Sequence, residues 1–270
     1  MENNDTATGG PSAGERLEQL ERAMAVLEVF DQERPALTLS EVAQFTGIAR
    51  ASARRILLTL KALGYVRASG RTFSLTPKVL NLGWNYFASL GVDEIAKEVM
   101  ADLVRDIDES CSMATLDLPD IVYLARVHTR RIMTISGGIG SRLPAHATAS
   151  GHVLLAALDD TELDTYLADG PLNSYTPRTL VDPERFREEV ARVRERGWAM
   201  VDQELELGLV AIAVPVTGRE GRTTAALSVS SNSARTTVDD LRDRCLPPLR
   251  KTAEAISTVL ARGDSRGTIA

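Results

Sequence analysis

Residues 37 to 66 read LTLSEVAQFTGIARASARRILLTLKALGYV, two helix-forming runs with a single glycine, Gly47, between them. Ser40 is placed to cap the first run, Val42, Ala43 and Phe45 supply its apolar contacts, and Gly47 suits the left-handed residue that ends a helix. Within about three residues the periodicity restarts. Ala53, Ile56, Leu57, Leu60 and Leu63 recur at the spacing of one buried stripe, and Gly64 closes it. The segment is therefore a short helix, a tight turn and a second helix.

Its flanks extend the pattern. Upstream, LEQLERAMAVLEVFD has helical periodicity, with Leu20, Met24 and Leu27 on one face and Ala23 and Phe30 on a neighbouring track, before a loop containing Pro35. Downstream, YVRASGRTFSL has two alternating runs around Ser69-Gly70, the signature of a small hairpin. Helix, helix, turn, helix, hairpin is the order of a winged helix-turn-helix.

Charge supports that reading. The 270-residue chain has net charge −6, which by itself argues against a surface coated in nucleic acid. Between Glu33 and Lys78, however, eight basic residues stand against two acidic ones, so this segment carries +6 and the remainder −12. At 100° per residue, Arg50, Arg54, Arg55, Thr59 and Lys61 fall outside the apolar stripe, and Leu58 shares their arc. No acidic residue stands three or four positions from these arginines. A merely solvated face is one reading. The preceding turn and the hairpin's Arg67 and Arg71 favour the other, a surface for phosphates and bases, since a guanidinium fork fits both guanine O6/N7 and phosphate. The residues expected to meet double-stranded operator DNA are Ser40, Arg50, Ser52, Arg54, Arg55, Thr59, Arg67 and Arg71.

Thr76-Pro77 starts a helix, PKVLNLGWNYFASL, apolar on more than one side. Beyond residue 93 come a helix to Asp108, a strand pair SCSMATL and IVYLARV joined by DLPD, a third strand RRIMTIS, a loop GGIGSRLPAHAT and the helix ASGHVLLAAL. A short helix from Asp160, the helix PERFREEVARVRERG, strands AMVDQE, GLVAIAVPVT and RTTAALSVSS, and a helix from Val238 to Arg262 follow. Strands with helices grouped at the ends predict an α+β domain with one mostly antiparallel sheet.

Several chemistries find no support. Cys111 and Cys245 are far apart and read as buried structural thiols, and His128, His146 and His152 lack metal spacing, so no metal and no cofactor is expected. GGIG is not a dinucleotide fingerprint, and no P-loop, H-E-x-x-H or G-x-S-x-G occurs. No run of 18 apolar residues and no signal-peptide pattern is present, so a cytoplasmic protein without a membrane partner is expected.

GIARASARRILLTLKALGYV with its basic hairpin and LTPKVLNLG, then GSRLPAHATASGHVLLAAL, RGWAMVDQELELGLVAIAVPV and AALSVSS, resemble the isocitrate lyase regulator (IclR) family of transcription factors over residues 18 to 262. Within it, ARRILLTL, IVYLARV, RIMTI and QELELGL are most similar to the branch controlling aromatic-acid catabolism, the protocatechuate and 4-hydroxybenzoate regulators. The resemblance implies a tail (1–14), a winged helix-turn-helix (15–76), a linker helix (77–92), a GAF- or PAS-like effector domain (93–262) and a second tail (263–270). It also implies a small organic-acid effector, an aromatic carboxylate or β-ketoadipate-pathway metabolite, and homodimers that pair into dimers of dimers. Family pocket positions carry over as Leu143, Ala149, Ser150, Leu209, Ala211, Ser228 and Ser230, with Asp202 where many relatives have two acidic residues. The residues add Gly151, whose N–H opens with those of Ala149 and Ser150 at a helix start. Arg142 has two readings, a partner for an effector carboxylate or a tie within its own loop. A competing reading makes the pocket an enzyme site with His146 or His152 as general base.

Overall fold

In the computed structural model, which describes residues 17–31, 33–79, 82, 94–129, 138–218 and 221–262, the helix before Gly47 is capped by Thr38. The Thr38 hydroxyl accepts from the Glu41 N–H, and the Glu41 carboxylate accepts from the Thr38 N–H at 2.7 Å, a reciprocal capping box. Ser40 lies inside the helix, which corrects its expected capping role. The box needs a glutamate three residues after the cap, and Ser40 has Ala43 there. Thr38→Ala is expected to remove about 1 kcal/mol and lower the melting temperature of this unit by roughly 4–8 °C, read by thermal denaturation. An unchanged melt would show that the box adds nothing net.

Around this cap the N-terminal unit, residues 1–86, holds α1 (Glu18–Glu28), β1 (Leu37–Thr38), α2 (Leu39–Thr46), α3 (Arg50–Ala62), β2 (Val66–Ser69) and β3 (Thr72–Leu75). Gly47 takes φ +68°, turning the chain from α2 to α3. Strand β3 pairs antiparallel with both β2 and β1, and β1 is a two-residue strand too short to show alternation in sequence. Val26, Phe30, Val42, Ala53, Leu57, Leu60 and Val66 form the core.

Four expected core positions differ. Helix α1 carries two apolar stripes, and the one that packs inward holds Val26 with Val29 and Phe30 after it. Leu20 and Met24 are left 59% and 43% exposed. Leu63 is also exposed, because α3 ends at Ala62 and Gly64, at φ +82°, turns the chain away. Phe45 stands half out of the core with the Arg34 guanidinium 5.1 Å above its ring.

The second unit, residues 87–270, is built on one six-stranded sheet in which every pairing is antiparallel. Its strands are β4 (Ser110–Asp117), β5 (Asp120–Val127), β6 (Arg142–Pro144), β7 (Ala199–Asp202), β8 (Leu209–Thr217) and β9 (Thr223–Asn232), in the spatial order β6-β5-β4-β9-β8-β7. Helices α4 (Glu94–Ile107) and α8 (Val238–Arg262) cover one face, burying Met100, Met113, Ile212, Leu227, Leu249 and Ile256. The other face meets α5 (Ala149–Ala156), α6 (Asp160–Ala168) and α7 (Pro183–Arg196), burying Leu155, Leu163, Phe186, Val190 and Ala213. The period of two sends Val210, Ile212 and Val214 to the first core and Ala211 and Ala213 to the second. Overall the architecture is α+β.

Strand β6 and the 3-10 turn Ala145–Ala147 occupy a stretch that reads as loop, because three residues ending in proline show no alternation. The linker helix expected over 77–92 lies outside the described residues apart from the 3-10 turn Pro77–Val79 and Leu82. The strand expected at RRIMTIS and both tails also lie outside them. Cys111 and Cys245 are buried thiols, and burial pushes the pKa of Cys245 up to about 11.

Candidate functional site

Two places carry chemistry. On α3, Ala53, Leu57 and Leu60 are buried, while Arg50, Arg54, Arg55 and Thr59 are exposed on the opposite arc and Ser52 is half-buried. Among the described residues, none of Arg50, Arg54, Arg55 and Arg71 forms an ion pair, in contrast to Arg22, Arg34 and Arg105, which pair with carboxylates one turn away. The start of α3 has no side-chain cap and no acidic residue in its first turn, so its backbone N–H groups and positive dipole end face outward with the arginines. Arg67 and Arg71 extend the patch along the β2–β3 hairpin, where Arg67 donates to Ser74 Oγ at 2.9 Å. Thr59 donates its hydroxyl to the Arg55 carbonyl at 2.9 Å, leaving an acceptor rather than a donor for any partner. Ser40 is exposed on α2.

The second place is a cavity of about 30 Å³ between the sheet and the start of α5. Of the expected pocket residues, the structure brings Leu143, Ala149, Ser150, Leu209, Ala211, Ser228 and Ser230 into its wall, alongside Ser112, Tyr123, Thr148 and Leu205. Small-molecule sites are usually some 300–1,000 Å³, so this cavity as it stands is too narrow for an aromatic acid. Ser228 donates to the Ser112 carbonyl at 3.3 Å. Burial raises the pKa of the Tyr123 phenol, offset in part by the nearby charge of Arg126.

Three expected members are absent from the wall. The Arg142 guanidinium binds Asp117 and Asp120, so it ties β6 to the β4–β5 turn. Asp202 pairs with Arg178 and accepts from Gln203 Nε2. The Gly151 N–H is taken by Thr148 Oγ1 at 3.1 Å, an N-cap bond that removes it from the open set. Gly151 is there for packing: a Cβ on it would lie 1.9 Å from the Ala145 carbonyl oxygen. The wall instead includes Arg126, which sequence reasoning passed over.

Neither buried histidine can serve as a base in this cavity. His152 donates from Nε2 to the His146 carbonyl at 2.7 Å and stacks edge-on against Phe186, and His146 Nε2 contacts the Asn173 carbonyl at 2.9 Å. Neither lines the cavity wall. These are core histidines, and burial holds the His152 pKa below its ordinary value.

Leu205 belongs to the turn between β7 and β8, which is fastened from outside. Thr176 Oγ1 donates to the Gln203 carbonyl and Thr179 Oγ1 to the Glu204 carbonyl, each at 2.6 Å, and the Leu180 N–H donates to Glu204 Oε2 at 3.2 Å. Burial raises the Glu204 pKa to about 7, helped by the negative charges of Glu189 and Asp202 and opposed by the Leu180 bond. A raised carboxyl pKa gives stability that is complete below its ordinary value of 4.5 and is lost as pH rises through about 7. Glu204→Gln, which keeps an acceptor for Leu180, should therefore melt higher than the parent at pH 8. The gain should be on the order of 1–2 kcal/mol after discounting for partial exposure and vanish near pH 4.5. His152 acts with the opposite sign, its stability present above 6.5 and lost below, but it is common to both proteins and cancels in the comparison. A variant that gains nothing at pH 8 would show that Glu204 ionises without cost.

A winged helix-turn-helix presenting unpaired arginines, in one chain with an antiparallel sheet domain that encloses a small cavity, defines a ligand-responsive DNA-binding regulator. The chain belongs to the IclR family: the IclR helix-turn-helix domain matches residues 19–70, and the C-terminal domain of IclR bacterial transcriptional regulators matches residues 84–258. It is 42% identical to the Pca regulon regulatory protein of Pseudomonas putida, covering 90% of this chain and 82% of that one. It is 36% identical to the p-hydroxybenzoate hydroxylase transcriptional activator of Acinetobacter baylyi, covering 89% and 91%. A crystal structure of an IclR homolog from Microbacterium hydrocarbonoxydans, complexed with 4-hydroxybenzoate, superposes with a TM-score of 0.82 at 26% identity, over 91% of this chain and 100% of that one. These relatives are transcriptional regulators, not enzymes. Among the described residues, no helix is long and apolar enough to cross a membrane.

Proposed function

We propose that this protein is a cytoplasmic regulator that grips operator DNA through α3 and the β2–β3 wing and answers to an aromatic carboxylate held in the α5 cavity, controlling genes for catabolism of that acid. The observation carrying the DNA half is the set of exposed arginines on α3 that meet no carboxylate among the described residues. Arg50, Arg54 and Arg55 are assigned to the groove and its phosphates, with Ser52 and Thr59 beside them, Arg67 and Arg71 on the wing and Ser40 on the flanking phosphate. The neighbour bound to 4-hydroxybenzoate supports the aromatic class of the effector. Homodimers that pair into tetramers fit the apolar stripe of Leu20 and Met24 on α1, with Leu17 just before it, left exposed.

Coupling requires the acid to bind one conformation better than another. A cavity this narrow supplies such a difference, because an aromatic acid fits only after the wall moves. The test is a thermal-shift screen of aromatic and dicarboxylic acids, in which a true effector stabilises by about 2.7 kcal/mol at one hundred times its dissociation constant. If no acid raises the melting temperature, the sensing half of the proposal falls.

A further inference from the structure

Among the described residues lining the cavity, Arg126 is the one charged side chain, and an irregularity in β5 places it there. Met113 on β4 faces Ala125, while the next residue, Ala114, faces Tyr123, so Leu124 is an extra residue on β5 with no partner across the ladder. Before this bulge, Ile121 and Tyr123 face the core beneath α5. After it the alternation restarts out of step: Leu124 and Ala125 both enter the core beneath α4 and α8, and Arg126 falls on the cavity side, directly opposite Ser112. In an unbroken strand a residue three positions after Tyr123 would point to the other face. Bulges recur beside binding sites because they re-aim a side chain in this way.

The surroundings suit an anion. The Arg126 guanidinium lies 5.2 Å from the centre of the Tyr123 ring, a cation–π contact that holds it against the wall, half-buried. Across the sheet its neighbour is Ser112, followed on the next strand by Ser228, both of them hydroxyl side chains that carry no charge. A planar fork beside an aromatic face in a narrow, largely apolar cavity matches a carboxylate attached to a ring. Its charge acts there through a lower effective dielectric than at the surface.

We propose that Arg126 anchors the effector's carboxylate and makes the cavity select an acid over its neutral counterpart. This rests on the reading of the cavity as the effector site. The experiment is calorimetric titration of the full-length protein with 4-hydroxybenzoate and, separately, with the neutral 4-hydroxybenzamide. The parent protein is expected to prefer the acid. Arg126→Gln is expected to lose roughly 10- to 100-fold in affinity for the acid while its affinity for the amide changes less than about 3-fold, so the preference collapses. If Arg126→Gln does not fold, as its ligand-free melt will show, Arg126→Lys is read instead. It keeps the charge without the fork and should lose acid affinity selectively but less steeply. Equal acid affinity in parent and variant, or parallel losses for acid and amide, would overturn the role of Arg126 alone. A parent protein that binds neither compound overturns the reading of the cavity itself and the anchor with it.

Discussion

Replacing Arg54 and Arg55 together with alanine is expected to weaken operator binding by at least about 30-fold, from roughly 1–3 kcal/mol lost at each base-contacting arginine. Stability should hardly change. Both side chains are exposed, neither has an ion-pair partner among the described residues, and α3 stays anchored by Ala53, Leu57 and Leu60, which the substitutions leave untouched. The measurement is fluorescence anisotropy on an operator duplex at fixed salt, with a thermal melt as the control. Repeating it over a salt series separates the two kinds of contact: a lost phosphate contact lowers the salt slope by about one, whereas a lost base contact relaxes sequence preference. Undiminished affinity in the double variant would remove α3 from DNA recognition.

Gly151→Ala should be the most damaging single methyl in the effector domain. Its Cβ would stand 1.9 Å from the Ala145 oxygen and 2.5 Å from that residue's carbonyl carbon, both backbone atoms of the 3-10 turn against which α5 is seated. No rotamer relieves a clash with backbone, so α5 would have to move off the turn. The loss should lie at or above the usual 1–3 kcal/mol of overpacking. Because Thr148, Ala149 and Ser150 line the cavity, displacement of α5 also deforms its wall. A lowered melting temperature with loss of the acid-induced thermal shift is the expected result. Parent-like melting would show that the turn yields freely.

Much of this was legible before any coordinates. The stripe of Ala53, Leu57 and Leu60 and the arginines opposite it are local properties of one helix, set by a period of 3.6, and periodicity is the strongest local signal a chain carries. Equally local is the period of two that puts Ser228 with Ser230, and Leu209 with Ala211, on one face of a strand. What stayed hidden depends on partners distant in sequence. Whether Leu20 or Val26 faces inward is decided by where α2 and α3 lie, not by the wheel of α1. Arg142 kept two readings, ligand group or structural tie, until Asp117 and Asp120 were seen to occupy it. Arg126 could not be placed by alternation, because the extra residue at Leu124 exists only in relation to β4. The Gly151 N–H looked open because the reach of the Thr148 hydroxyl is a matter of cap geometry.

The unmatched Leu124 gives this strand an unusual mutational grammar. Deleting that single residue would return β5 to a regular ladder with Arg126 still opposite Ser112, because it would then stand two positions after Tyr123, on the same face. Val127 would likewise keep its place opposite Cys111, against the α4–α8 core. One lost codon would thus leave the cation where it stands and remove only the local kink. Among related sensors, the residue opposite Ser112 would then say more about what is sensed than the length of this strand.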